Sequence, residues 1–164
     1  MKNYLIIIGS NSHKSINAKV AYELQKKTNY DILSLKEYNL PLYSLEIEEK
    51  GIPDEIKKLE NKLNEYKTII LFTPEHNGYL PSFLKNVFDW LSRDYKYQNG
   101  QSLINKNLFI VSVSPGSTGG ESVRNIASKL LTYSGAKIIG TYGIGSFSDD
   151  KDFSKEIEII QSLI

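Results

Sequence analysis

Thr68-Ile69-Ile70-Leu71-Phe72-Thr73, Pro74-Glu75-His76-Asn77-Gly78-Tyr79-Leu80-Pro81 and Ser82-Phe83-Leu84-Lys85-Asn86-Val87-Phe88-Asp89-Trp90-Leu91-Ser92 follow one another without a break. The first piece is a continuous apolar run, the pattern of a strand buried on both faces of a parallel sheet. The last piece sets Leu84, Val87, Phe88 and Leu91 on one side at helical spacing, so Ser82 to Ser92 is predicted as an amphipathic helix. Between them lies a loop that two prolines stiffen, and its Asn77-Gly78 pair permits a turn with positive φ. Strand, rigid loop and helix in that order form the first part of a βαβ unit.

The same alternation extends in both directions. Upstream, Tyr4 to Ile8 is an apolar strand broken by Gly9-Ser10-Asn11-Ser12. Ser15 to Lys27 then carries Ile16, Val20 and Leu24 at every fourth residue, and Asp31 to Leu35 forms a second strand. Glu37 to Lys50, with Pro41 and no clean period, reads as a long surface connection. Pro53, followed by Asp54 and Glu55, opens a helix that buries Ile56, Leu59 and Leu63; proline loses no needed donor there, and the acids oppose the positive helix end.

Downstream come a strand at Asn107 to Ser114, a helix at Gly119 to Ser134, a strand at Ala136 to Tyr142 and a helix at Phe153 to Leu163. Regular alternation of this kind predicts an α/β fold, a three-layer α/β/α sandwich around a five-stranded parallel sheet, formed by one domain over residues 1–164.

Composition narrows the function. The chain has 164 residues, of which 40% are hydrophobic and 24% charged, the balance of a globular protein. Lysine and arginine number 20 against 19 acidic residues, a net charge of +1, so no basic field is present to attract nucleic acid. The absence of cysteine removes disulfides, iron–sulfur clusters and thiolate catalysis, so any redox chemistry depends on a bound cofactor. The first residues lack the h-region and cleavage site of a signal peptide, and no apolar stretch approaches the roughly 20 residues that cross a bilayer. A cytoplasmic protein without membrane insertion is expected.

In an open parallel sheet, ligands bind beyond the carboxyl ends of the strands. After the first strand, Ser10, Ser12, Ser15, Ile16 and Asn17 belong to a hydroxyl-rich loop opening onto a helix amino terminus, a place suited to a phosphate. Ser12 or Ser15 capping the helix is the other reading of the same residues. The loop has neither the Gly-Lys-Ser/Thr ending of a P-loop nor the third glycine of a dinucleotide fingerprint, which disfavours nucleotide hydrolysis. After the third strand, Pro74 to Pro81 can bring backbone close to a flat ligand. His76 and Glu75 are weak as general acid or base, and His76 with His13 makes no metal cluster. After the fourth strand, Ser114-Pro115-Gly116-Ser117-Thr118-Gly119-Gly120 is a glycine-rich turn, explained either by close strand–helix packing or by the same ligand.

These residues resemble the NADPH-dependent FMN reductase family, the flavodoxin-like quinone, azobenzene and chromate reductases, over nearly the whole chain. The most specific likeness is Pro74-Glu75-His76-Asn77-Gly78, then Pro81 and Leu84-Lys85-Asn86-Val87-Phe88-Asp89-Trp90, against a family pattern of Pro-Glu-Tyr-Asn-Gly, Pro and Leu-Lys-Asn-Ala-Ile-Asp-Trp. The departures are histidine for tyrosine at position 76 and no arginine near Ser12.

The resemblance implies that Ser10, Ser12, Ser15, Ile16 and Asn17 hold the phosphate of FMN. Pro74, Glu75, His76, Asn77 and Gly78 would line its ring, and Ser114, Pro115, Gly116 and Ser117 would close the other side. It implies NADPH or NADH as electron donor and ping-pong transfer to a quinone, azo compound, free flavin or similar small-molecule acceptor, with no catalytic side chain. It also implies a homodimer built on the Ser82 to Ser92 helix, with pairing into tetramers left open. An FMN-binding electron carrier of the flavodoxin type, without nicotinamide turnover, is the alternative; the near-neutral charge weighs against it.

Overall fold

A computed structural model describes residues 2–93 and 100–164. Five strands, β1 (Lys2–Ile8), β2 (Asp31–Ser34), β3 (Tyr66–Phe72), β4 (Asn107–Val113) and β5 (Lys137–Ile144), pair in parallel in the order β2-β1-β3-β4-β5. The central strands are nearly continuous buried apolar runs, because helices cover both of their faces.

One face is covered by α3 (Asp54–Asn64), α4 (Ser82–Leu91) and α5 (Glu121–Tyr133), which pack Ile56, Leu59, Leu84, Val87, Val123 and Leu131 onto Leu5, Ile7, Ile69 and Leu108. The opposite face is covered by α1 (Ile16–Thr28) and α6 (Ser154–Leu163), whose Val20, Leu24, Ile157 and Ile160 meet Ile6, Ile8, Ile70 and Phe109. Each strand therefore sends alternate side chains to two separate cores. The expected three-layer sandwich is the one observed.

The connection predicted as irregular over Glu37 to Lys50 contains more order than its sequence suggests. A 3-10 turn at Leu35–Glu37 leads into it, ending β2 one residue before the expected Leu35, and a short helix, α2 (Leu45–Glu48), lies within it. Side chains of α4 hold this segment: Asn86 Oδ1 accepts from the Tyr43 N–H at 2.8 Å, and Asn86 Nδ2 and Trp90 Nε1 both donate to the Pro41 carbonyl. The Tyr43 ring stands edge-on to Trp90 at 5.2 Å. These partners are 40 or more residues away in sequence, where local periodicity carries no trace of them.

The chain runs from β1 outward to β2 and then returns across β1 to β3, so the direction of winding reverses between β1 and β3. That reversal opens a crevice between the loops after these two strands, the usual ligand position in an open α/β sheet.

Candidate functional site

The three loops beyond β1, β3 and β4 share the carboxyl edge of the parallel sheet, and the first two flank the point where the winding reverses. Gly9 donates its N–H to the Phe72 carbonyl at 2.8 Å, which joins the first loop to the second at the base of the crevice.

Serine hydroxyls organise the first loop. Ser10 Oγ accepts from the Ser12 N–H, Ser12 Oγ from the Lys14 N–H, and Ser15 Oγ from the Ala18 N–H, at 3.3, 3.2 and 3.2 Å. A hydroxyl that accepts a backbone N–H keeps its own hydrogen free to donate. Capping and anion binding are therefore compatible: Ser15 is the N-cap of α1, and all three hydroxyls retain a donor. The first-turn N–H groups of Ile16 and Asn17 have no carbonyl within the helix to bond, and the helix end adds partial positive charge. An open groove of about 480 Å³ continues from His13 and Lys14 along α1 to Lys19, Tyr22 and Asp149.

Asn17 has a role that its sequence context hides. β3 stays in register with β4 as far as Phe72 and Val111, and the Thr73 N–H still reaches the Val111 carbonyl. Beyond that point β3 turns away, and the carboxamide of Asn17 replaces the missing strand. Its Nδ2 donates to the Val113 carbonyl at 3.1 Å and its Oδ1 accepts the Val113 N–H at 2.9 Å. The whole residue is 1% exposed, and with both side-chain groups spent on Val113 the first-turn backbone N–H is the polar donor of Asn17 not used within the helix.

The second loop closes on itself. His76 and Tyr79 exchange backbone hydrogen bonds of 3.0 and 2.9 Å around Asn77 (φ 52°) and Gly78 (φ 73°), a two-residue turn with both central residues left-handed. Such a turn pairs only its end residues, leaving the Asn77 and Gly78 N–H groups unused by it. His76 and Asn77 are exposed. Glu75 does not face solvent freely: its Oε2 accepts from the Val123 N–H at 3.0 Å and so caps α5 from another loop.

The third loop is fixed by β5. Ser146 and Phe147 donate their N–H groups to the carbonyls of Gly116 and Ser114 at 3.0 and 3.1 Å. Gly145 permits the approach, since a Cβ there would sit 2.2 Å from the Ser117 carbonyl oxygen. Pro115, Gly116 and Ser117 remain exposed at the rim, with Ser114 partly covered.

Arg124, on the first turn of α5, donates to Ser112 Oγ at 2.7 Å and to the carbonyls of Gly119 and Thr118. Burial pulls its pKa down, while Glu121 and Glu75 push the other way. Neither Arg124 nor the Gly145–Phe147 loop stands out from the sequence; the closest signal is the Gly143-Ile144-Gly145 spacing at the end of β5. Among the described residues no group of three or more histidine or acidic side chains is placed to hold a metal, and no helix is long and apolar enough to cross a membrane.

The donor set suits a ligand with a phosphate at one end and a flat polar body. Hydroxyl and N–H donors converge at α1, and turn backbone stands exposed across the crevice. The amino end of α5 is closed by the protein's own Glu75 carboxylate, whereas that of α1 gathers three serine hydroxyls able to donate to an anion.

The family model for NADPH-dependent FMN reductase matches residues 3–149. A Mycoplasma pneumoniae protein is 36% identical over 98% of this chain and 97% of its own length. A quinone reductase of Pseudomonas putida is 33% identical over 78% of this chain and 68% of its own. Among solved structures, the NAD(P)H:(acceptor) oxidoreductase FerB of Paracoccus denitrificans shares the fold with a TM-score of 0.72 at 24% identity, covering 93% of this chain and 79% of that one.

Proposed function

The chain belongs to the NADPH-dependent FMN reductase family, and from that premise we propose that it is an FMN-dependent NAD(P)H oxidoreductase acting by ping-pong transfer on quinones, azo compounds, free flavin or similar acceptors. The observation that carries the proposal is the pairing, across the crevice at the β1/β3 reversal, of a donor-rich α1 terminus with the rigid His76–Tyr79 turn. Ser10, Ser12 and Ser15 donate to the phosphate through their free hydroxyl hydrogens, and Ile16 and Asn17 through their N–H groups. The Pro74 to Gly78 loop presents backbone to the ring, and Ser114 to Ser117 close its other side.

FMN, when bound, would supply the redox chemistry as a two-electron carrier between nicotinamide and acceptor. The protein's contribution is orientation and a fixed hydrogen-bonding environment, so no side chain is assigned as proton donor. Exposed loop rims leave the same face open to donor and acceptor in turn, as a ping-pong sequence requires.

We place the enzyme in the cytoplasm as a homodimer. Leu84, Val87 and Leu91 of α4 are consumed by the core, whereas Phe88 is partly uncovered beside a 180 Å³ groove that Lys85, Leu130 and Tyr133 also line. Sedimentation equilibrium tests that assignment.

The activity is tested by recording the visible spectrum of the purified protein with and without FMN, then following NADPH and NADH oxidation with a quinone. A bound-flavin spectrum with flavin-dependent turnover is expected. Bound flavin without turnover would make the protein an electron carrier, and no flavin binding would overturn the proposal.

A further inference from the structure

We propose that Arg124 is a positioning residue for the flavin ring: by holding the far end of the β4 loop, its guanidinium sets the conformation in which Ser114 to Ser117 present themselves to the crevice. The inference rests on the FMN-binding reading above. The guanidinium donates to Ser112 Oγ and to the Gly119 and Thr118 carbonyls, so one planar group ties the end of β4 to the end of the loop that leaves it. Ser112 is fully buried, and its hydroxyl also contacts the Gly119 and Gly120 carbonyls.

Space for the group comes from β5. A Cβ on Gly143 would lie 2.1 Å from Arg124 Nη1, so the guanidinium occupies the volume that any larger residue at 143 would fill. Three and four residues later, the Ser146 and Phe147 N–H groups grip Gly116 and Ser114. The loop is thus held at Ser114 and Gly116 by the residues that follow β5 and at its far end by Arg124, with Pro115, Gly116 and Ser117 exposed at the rim. Lysine carries its three donors on one nitrogen and lacks the planar fork whose two nitrogens divide the hydroxyl and the two carbonyls between them here.

The test compares FMN and riboflavin binding, by quenching of flavin fluorescence, in the wild type, Arg124→Lys, Gly143→Ala and Ser15→Ala. A ring-positioning role predicts that Arg124→Lys and Gly143→Ala weaken both flavins by the same factor, about tenfold or more for loss of charge-assisted hydrogen bonds. Gly143→Ala leaves Arg124 in place but takes its space, so it should reproduce the effect. Ser15→Ala, at the phosphate end, should weaken FMN alone.

Wild-type affinity for both flavins in the two variants overturns the inference, as does a loss confined to FMN. Should neither variant fold, Ser112→Ala removes one acceptor of the guanidinium, and an equal, smaller loss for both flavins is expected; no loss overturns the inference. A wild type that binds no FMN fails the functional reading itself, an outcome recognisable before any variant is made.

Discussion

The carboxylate of Glu75 accepts the Val123 N–H at 3.0 Å, so a residue of the loop after β3 caps the helix that follows β4. Gly120, the residue before α5, offers no side chain to do this. The contact links two of the three loops of the crevice and neutralises the positive end of α5. One carboxylate thereby ties two of the loops together.

Loss of that cap should be visible in stability. Glu75→Ala removes the acceptor and leaves a buried N–H without a partner, at a cost of about 1 kcal/mol. Glu75→Gln keeps an acceptor and loses only the charge, so it should cost about half as much. Urea denaturation of the flavin-free proteins separates the two, and equal stability of all three would show that the Val123 contact contributes nothing.

Asn17→Ala should be among the more damaging single changes in the chain. It strips both the donor and the acceptor from Val113, each buried, for about 3 kcal/mol in all and a fall in Tm of roughly 10 °C. Asn17→Asp has a separate signature. Its ionised carboxylate would place a second oxygen against the Val113 carbonyl, whereas the protonated form restores one donor and one acceptor. Its folded-state pKa is therefore raised above the ordinary value of about 3.9, the folded state binds more protons above that value, and stability relative to wild type should fall as pH rises from about 4. Parallel melting curves from pH 4 to 7 check this; a pH-independent gap would contradict it.

Sequence patterning accounts for the sheet and its helices because each strand and helix carries its own periodicity, and Asn77-Gly78 announces its turn through the only conformations such a pair commonly stabilises. Serine at the amino end of α1 is likewise legible, as a cap or as a donor to an anion; that it can be both follows from the structure. Roles defined by distant partners are not. Asn17 and Glu75 stand in the sequence as candidate ligand contacts, with no sign of the backbone groups they bind, and Arg124 carries no signal. Their work depends on Val113, Val123 and Ser112, brought alongside only once the sheet has formed. The order within Leu35 to Glu48 is hidden for the same reason, since Asn86 and Trp90 of α4 supply its contacts.

Lys106 lies at the amino edge of the sheet, away from the crevice, and is 6% exposed with its Nζ donating to the Tyr66 carbonyl at 2.9 Å. Burial lowers its pKa from the ordinary 10.5. Between the lowered folded value and 10.5 the unfolded chain binds the proton and the folded one does not, so this residue's contribution to stability rises with pH through that window and is lost below it. Urea midpoints of the wild type should therefore climb relative to Lys106→Met as pH approaches 10.5. A constant difference between the two proteins at pH 8 and pH 10 would place the lysine's pKa at its ordinary value.

Ser15 tests whether capping and phosphate binding belong to one hydroxyl. As N-cap of α1 its oxygen accepts the Ala18 N–H at 3.2 Å, so Ser15→Ala should destabilise the flavin-free protein by about 1 kcal/mol. Ser15→Asp keeps a cap and gives up the hydroxyl hydrogen, setting a negative charge where the phosphate would sit. Stability should recover in Ser15→Asp while FMN affinity falls further than in Ser15→Ala, and riboflavin, with no phosphate, should bind both variants about as it binds the wild type. Raising the concentration of inorganic phosphate should displace FMN from the wild type and leave riboflavin bound. If Ser15→Asp held FMN as well as the wild type, the phosphate would have to lie elsewhere than at the amino end of α1.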